Sequence, residues 1–239
     1  MAGMDVGGFA AALPYLRRQT ARALDARAMT GEWLTPELEL GCASGCWLHR
    51  AADASPRPVV FELHGGGFAL GDARKGDALR AWVRDTFDVN VVGIEYRLAP
   101  EHPFPAALND VAGTVRRIVT GGEIEVDPAH AVLMGYSAGA NLAVAYALLS
   151  QRDDSAPLVS GLALHYPCLD VAERFDPNSV RACDLPVDKM AAFSAMYAGE
   201  RDEADPLMSP VYAGDGELAA LPPTVFCPVE GDALLPQAE

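Results

Sequence analysis

Short apolar runs alternate with longer amphipathic stretches along most of this chain, a pattern that predicts layers of strand and helix. Residues 9–30, rich in Ala, Leu and Arg at helical spacing, predict an N-terminal helix. Glu37–Leu40 and Cys46–His49 predict two short strands around a glycine-rich turn. A Ser55-Pro56-Arg57-Pro58 breaker then leads into a buried strand, Val59–Leu63. Asp77–Asp88 places Leu79, Trp82, Val83 and Phe87 on one side of a helix. Val89–Tyr96 reads as the next buried strand, and the prolines that follow it delay the next helix to Ala106–Val119, which Gly121-Gly122 ends. Strand Ala131–Met134, helix 138–150 and strand Val159–His165 follow. After a looser, Asp- and Pro-rich stretch from Pro167 to Pro210, with a helix at Val187–Tyr197, comes strand Thr224–Val229. The expectation is an α/β fold, a mostly parallel sheet with helices on both faces.

Composition narrows the class. A chain of 239 residues, 50% hydrophobic, can bury a large core. No apolar run reaches the roughly 18 residues that span a bilayer, and the N-terminus lacks a basic region followed by an apolar stretch. A cytoplasmic location is expected. The net charge of −15, almost all of it after residue 120, argues against nucleic acid and disfavours anionic substrates. Five cysteines without a secretory signal do not suggest a disulfide framework. Cys42-x-x-x-Cys46 has no second Cys/His pair at ligand spacing, so no metal is expected, and no cofactor is implied.

Two glycine motifs carry the chemistry. Gly135-Tyr136-Ser137-Ala138-Gly139 follows one strand and opens a helix, the setting in which a serine sits on a sharp elbow. His64-Gly65-Gly66-Gly67 follows an earlier strand, where bare backbone N–H groups can approach a developing negative charge. Together, in this order, they point to a serine hydrolase.

With these motifs the chain resembles the hormone-sensitive-lipase-like branch of the α/β-hydrolases, the bacterial esterase and acetyl esterase group. The likeness extends over residues 55–239. Glu95-Tyr96-Arg97-Leu98-Ala99-Pro100-Glu101-His102-Pro103-Phe104-Pro105-Ala106-Ala107 is close to a family hallmark. So is Leu221-Pro222-Pro223-Thr224 leading to Glu230-Gly231-Asp232-Ala233-Leu234. Tyr136 stands where the family often has an acidic residue, and Ala140 where it often has glycine. The resemblance implies Ser137 as nucleophile, the amides of Gly66, Gly67 and Ala138 as oxyanion hole, and Asp232 as the acid, with Asp170 its rival. It implies a short-chain, acetyl-type ester as substrate. It also implies one α/β-hydrolase domain over residues 1–239, with cap or lid elements near 1–35 and 168–210.

The base is the gap. In this architecture the histidine follows the acid, yet none of the five histidines follows His165. His64 lies inside the glycine loop, His102 among prolines, His130 at the far end of the sheet and His49 on an early strand. Only His165, at the end of a strand on the side of Ser137, stands as a substitute, against the acid-then-base order. The expectation is a longer native chain whose further strand, helix and histidine lie past Glu239. That would leave strand Thr224–Val229 as an open edge able to pair with a second copy of the chain. The alternatives are an inactive, ligand-binding relative and a partner chain that contributes the last strand and the histidine.

Overall fold

The computed structural model describes residues 6–37, 43–53, 55–154, 156–173 and 187–237. Seven strands form one sheet in the order β1-β2-β4-β3-β5-β6-β7: β1 Glu32–Leu34, β2 Cys46–His49, β3 Arg57–Leu63, β4 Asn90–Ile94, β5 Val126–Tyr136, β6 Gly161–His165 and β7 Thr224–Cys227. β1 and β2 pair antiparallel, as do β2 and β4; β4, β3, β5, β6 and β7 run parallel. The expected mostly parallel α/β sheet is present. Its longer helices are α1 Val6–Asp25, α2 Asp77–Phe87, α3 Ala106–Thr120, α4 Ala138–Arg152 and α5 Val187–Ala198, with a short α6 at Asp215–Ala219. No helix among the described residues is long and apolar enough to cross a membrane.

Several boundaries differ from the sequence pattern, each for a local reason. The strand beside β2 is Glu32–Leu34, not Glu37–Leu40, whose residues from 38 on lie outside the described ones. Trp33 opposes Trp47, their rings 5.2 Å apart, and the indole of Trp33 lies where a Cβ on Gly45 would stand. β5 starts five residues early because Val126 pairs with Arg57 before the register shifts, which puts His130 inside the strand on its exposed end. Cys42 and residues 174–186 of the Pro167–Pro210 stretch also lie outside the described residues.

The apolar face assigned to α2 is the largest departure. Trp82 and Phe87 are more than half exposed, while Asp77, Arg80 and Val83 are buried. Arg80 is fully buried because its Nη1 meets both the Glu62 carboxylate and the Ala73 carbonyl at 2.7 Å. A buried charge is tolerated where it is paired and hydrogen-bonded, so removing one partner of such a pair costs about 3–5 kcal/mol.

α4 lies at the centre. Twelve of its fifteen residues are buried, as expected of a helix apolar on every side, so its N-terminus is held rigidly at the C-terminal ends of β3 and β5. Among the described residues β1 and β7 are the two edges of the sheet, and on β7 Val225 is 61% and Phe226 44% exposed.

Candidate active site

Ser137 occupies the turn between β5 and α4 with φ 52 and ψ −116, a conformation that a residue with a side chain adopts only under constraint. The constraint is visible on both sides. The Ser137 N–H donates to the His165 carbonyl at 2.9 Å, and its carbonyl accepts from Ala140 and Asn141 at 3.0 and 3.1 Å. The flanking glycines are sterically required: a Cβ on Gly135 would lie 2.4 Å from the Gly139 carbonyl, and one on Gly139 2.1 Å from the Leu63 oxygen. The serine side chain makes no capping hydrogen bond, which leaves its hydroxyl free for a reacting partner.

The His64–Gly67 loop lies beside this elbow. Gly66 has φ 137 and Gly67 φ 57, and a Cβ on Gly67 would stand 2.3 Å from the Phe193 ring. The Gly66 carbonyl accepts from Leu70 and Ala69 at 2.8 and 3.2 Å. A trans peptide plane points its C=O and N–H in opposite directions, so this turn aims the Gly67 N–H away from itself. His64 Nδ1, 3.0 Å from the Gly65 oxygen, does the same for the Gly66 N–H.

His64 is therefore a scaffold. Burial depresses its pKa to about 4, so the ring is neutral, and the carbonyl beside Nδ1 fixes the proton there. Nε2 is buried without a partner. The ring stacks on Tyr96 at 4.1 Å, and the Tyr96 hydroxyl donates to the His64 carbonyl at 2.6 Å.

Gly66, Gly67, Ser137 and Ala138 line one cavity of about 280 Å³. Ala138 begins α4, whose first N–H groups have no intrahelical partner and favour negative charge. Phe68, Leu70, Met190, Phe193 and Leu234 make the rest of the wall largely apolar. Cys168 also lines it, but burial pushes its thiol up to about 12 and keeps it protonated.

Asp170 is on this wall, but both its oxygens are occupied. Oδ1 accepts from the amides of Ala172 and Glu173, and Oδ2 from the Tyr212 hydroxyl. Asp232 lies in the turn after β7, half-buried, near enough for its charge to add to the rise that burial imposes on the pKa values of Tyr166 and Cys168. Its Oδ1 accepts from Leu234, and Oδ2 takes no hydrogen bond among the described residues.

No histidine ring hydrogen-bonds Ser137 among the described residues. His165 offers Ser137 its carbonyl, while its ring stacks on Tyr136 at 4.6 Å. His49 is buried against Asp77 at 3.0 Å, His130 pairs with Asp127 at the far end of β5, and His102 is exposed. The sequence motifs found the elbow and the loop. They missed Met190, Phe193 and Leu234, whose apolar character does not distinguish a cavity wall from core.

Comparison with known proteins agrees with this geometry. A family model described as alpha/beta hydrolase fold matches residues 60–239. Esterase LipI of Mycobacterium tuberculosis is 35% identical over 193 residues, 79% of this chain and 59% of that protein. Carboxylesterase NlhH of the same species is 34% identical over 183 residues, 74% of this chain and 57% of that protein. The chain thus spans less than two-thirds of the length of these curated relatives. Among solved structures, a hyperthermophilic esterase from Pyrobaculum calidifontis superposes with TM-score 0.80 at 27% identity, covering 94% of this chain and 75% of that one. The chain belongs to the α/β hydrolase fold family, in its hormone-sensitive-lipase-like branch.

Proposed function

We propose that this chain carries the nucleophile half of a carboxylic ester hydrolase for short-chain, acetyl-type esters. The observation that carries the reading is the constrained backbone of Ser137, set on one cavity wall with Gly66, Gly67 and Ala138. Strain of this kind persists only where the surroundings impose it, and it concentrates at reactive sites. Ser137 Oγ attacks the ester carbonyl, and the amides of Gly66, Gly67 and Ala138 hold the oxyanion. The alcohol leaves, and water then releases the acid from the acyl-enzyme. Asp232, with one oxygen uncommitted, is the acid that orients a histidine; Asp170 is engaged by its own turn. The apolar cavity and the acidic chain favour small uncharged esters. Helices α1 and α5, which pack on each other beside the cavity, serve as the cap. The thiols of Cys168 and Cys227, which form no disulfide among the described residues, suit the cytoplasm.

No histidine ring among the described residues hydrogen-bonds Ser137, so these 239 residues alone are expected to turn over slowly. Loss of the base costs about 10⁶ in kcat and leaves roughly 10³–10⁴ over water. The test is hydrolysis of nitrophenyl esters from acetate to decanoate, with and without added imidazole as an external base, using S137A as the blank. A slow, Ser137-dependent rate that imidazole raises and that falls with chain length is expected. A rate unchanged in S137A overturns the assignment. Saturable ester binding with no turnover under either condition favours a ligand-binding relative instead.

A further inference from the structure

Arg17, on α1, lies outside the stretch that the family model matches, yet its guanidinium reaches into the loop that holds Gly66 and Gly67. Nε donates to the Ala69 carbonyl at 2.9 Å, and Nη2 to the Ala99 carbonyl at 2.5 Å. Nη1 contacts both oxygens of Glu101 at 2.9 Å. Ala99 is itself tied to the loop, because its N–H donates to the Phe68 carbonyl at 2.9 Å. One planar, multiply donating group thus bridges two adjoining segments, a task for which arginine is suited and lysine is not.

The contact to Ala69 has a specific consequence. The Ala69 carbonyl shares its peptide plane with the Leu70 N–H, and that N–H donates to the Gly66 carbonyl at 2.8 Å. The Gly66 carbonyl in turn shares its plane with the Gly67 N–H. A continuous chain therefore runs from the guanidinium through two peptide planes to the Gly67 N–H on the cavity wall. Hydrogen bonds in such a chain polarise one another, and a cation at its head strengthens the donor at its tail.

We propose that Arg17 is a positioning residue for the oxyanion hole, fixing and polarising the Gly67 N–H through the Ala69–Leu70 and Gly66–Gly67 peptides. The proposal rests on the ester-hydrolase reading above for its chemistry, but the relay itself stands on geometry. It makes the N-terminal helix part of the site's electrostatics as well as its cover. Glu101 is half exposed and partly offsets the charge, so its own contribution is small.

The test compares R17A, R17K and E101Q with the parent chain, and with R22A on an exposed part of the same helix. Amide hydrogen exchange at Leu70 reads the relay directly. Affinity for an alkylboronic acid, which forms a tetrahedral anion on serine, reads the hole; the neutral carboxamide of the same skeleton is the control. In R17A, Leu70 exchange is expected to quicken and boronate affinity to fall, each by about tenfold, as for the loss of one or two hydrogen bonds. Carboxamide binding should change less than about twofold. R17K, which keeps the charge but gathers its donors on one nitrogen without the planar fork, should fall between, and it serves as the folded variant if R17A does not fold. E101Q and R22A should match the parent.

Unchanged Leu70 exchange in folded R17A or R17K overturns the proposal. So does a boronate loss shared equally by R22A or by the carboxamide, since either places the effect in general charge or packing. A parent chain that takes up no boronate even with imidazole added to accept the serine proton sinks the hydrolase reading, and Leu70 exchange alone then decides for or against the relay.

Discussion

The hydroxyl of Tyr96 donates to the carbonyl of His64 at 2.6 Å while the two rings stack, so the end of β4 holds the first residue of the glycine loop. Tyr96→Phe keeps the stack and removes the donor. The His64 carbonyl then loses a buried partner, at an expected cost of about 1–2 kcal/mol. Denaturant titration checks the cost. An unchanged midpoint would show that another donor replaces the hydroxyl.

Stability should respond to pH from two sides. Burial holds His49 below its ordinary 6.5 and His64 down at about 4, so their contributions are full above pH 6.5 and are lost as pH falls. Burial and the neighbouring Asp72 raise Glu95 from 4.5 to about 7, so its contribution is full below pH 4.5 and is lost as pH rises through 7. Glu95→Gln should therefore gain on the parent in melting temperature between pH 4.5 and pH 8. A constant difference across that range contradicts the assignment.

Asp170 and Asp232 should separate by stability. Asp170 ties two amides and a tyrosine hydroxyl, against one amide for Asp232. Asp170→Ala is expected to cost about 1–2 kcal/mol more than Asp232→Ala. The reverse ranking in thermal melts would make Asp232 the structural residue and return Asp170 to candidacy as the acid.

The edge strand β7 exposes Val225 and Phe226 in a short, uncharged, β-prone segment, the kind that recruits other chains. The parent chain should self-associate with concentration in sedimentation, and Val225→Lys should suppress this with little change in melting. Equal sedimentation of the two, monomeric throughout, would dismiss the edge as a sticky surface.

Legibility from sequence followed how local the cause was. The elbow and the glycine loop were readable because their steric needs are written as glycine within short motifs, even where the crowding atom, such as the Leu63 oxygen over Gly139, comes from elsewhere. The parallel sheet was readable from β4, apolar after Asn90 and buried at every position. The inward face of α2 was not, because Arg80 is buried by partners that arrive from β3 and from the Ala73 turn. β1 was misplaced because its position depends on Trp33 meeting Trp47 and Gly45, contacts that no periodicity encodes. The cavity wall from α5 was hidden for the same reason: Phe193 reads as core until Gly67 is seen beneath it.

That last contact makes two positions distant in sequence depend on each other. The Phe193 ring fills the space a side chain on Gly67 would need, and it meets Phe9 edge-on at 5.1 Å. Drift at position 67 is therefore blocked while an aromatic stands at 193, and a smaller residue at 193 relaxes the block. Gly67→Ala alone should be poorly tolerated, and Gly67→Ala with Phe193→Leu should recover part of the lost folding yield, short of full recovery because φ 57 still disfavours alanine. In a library diversified at both sites, accepted pairs should be correlated, with α5 and the glycine loop changing together.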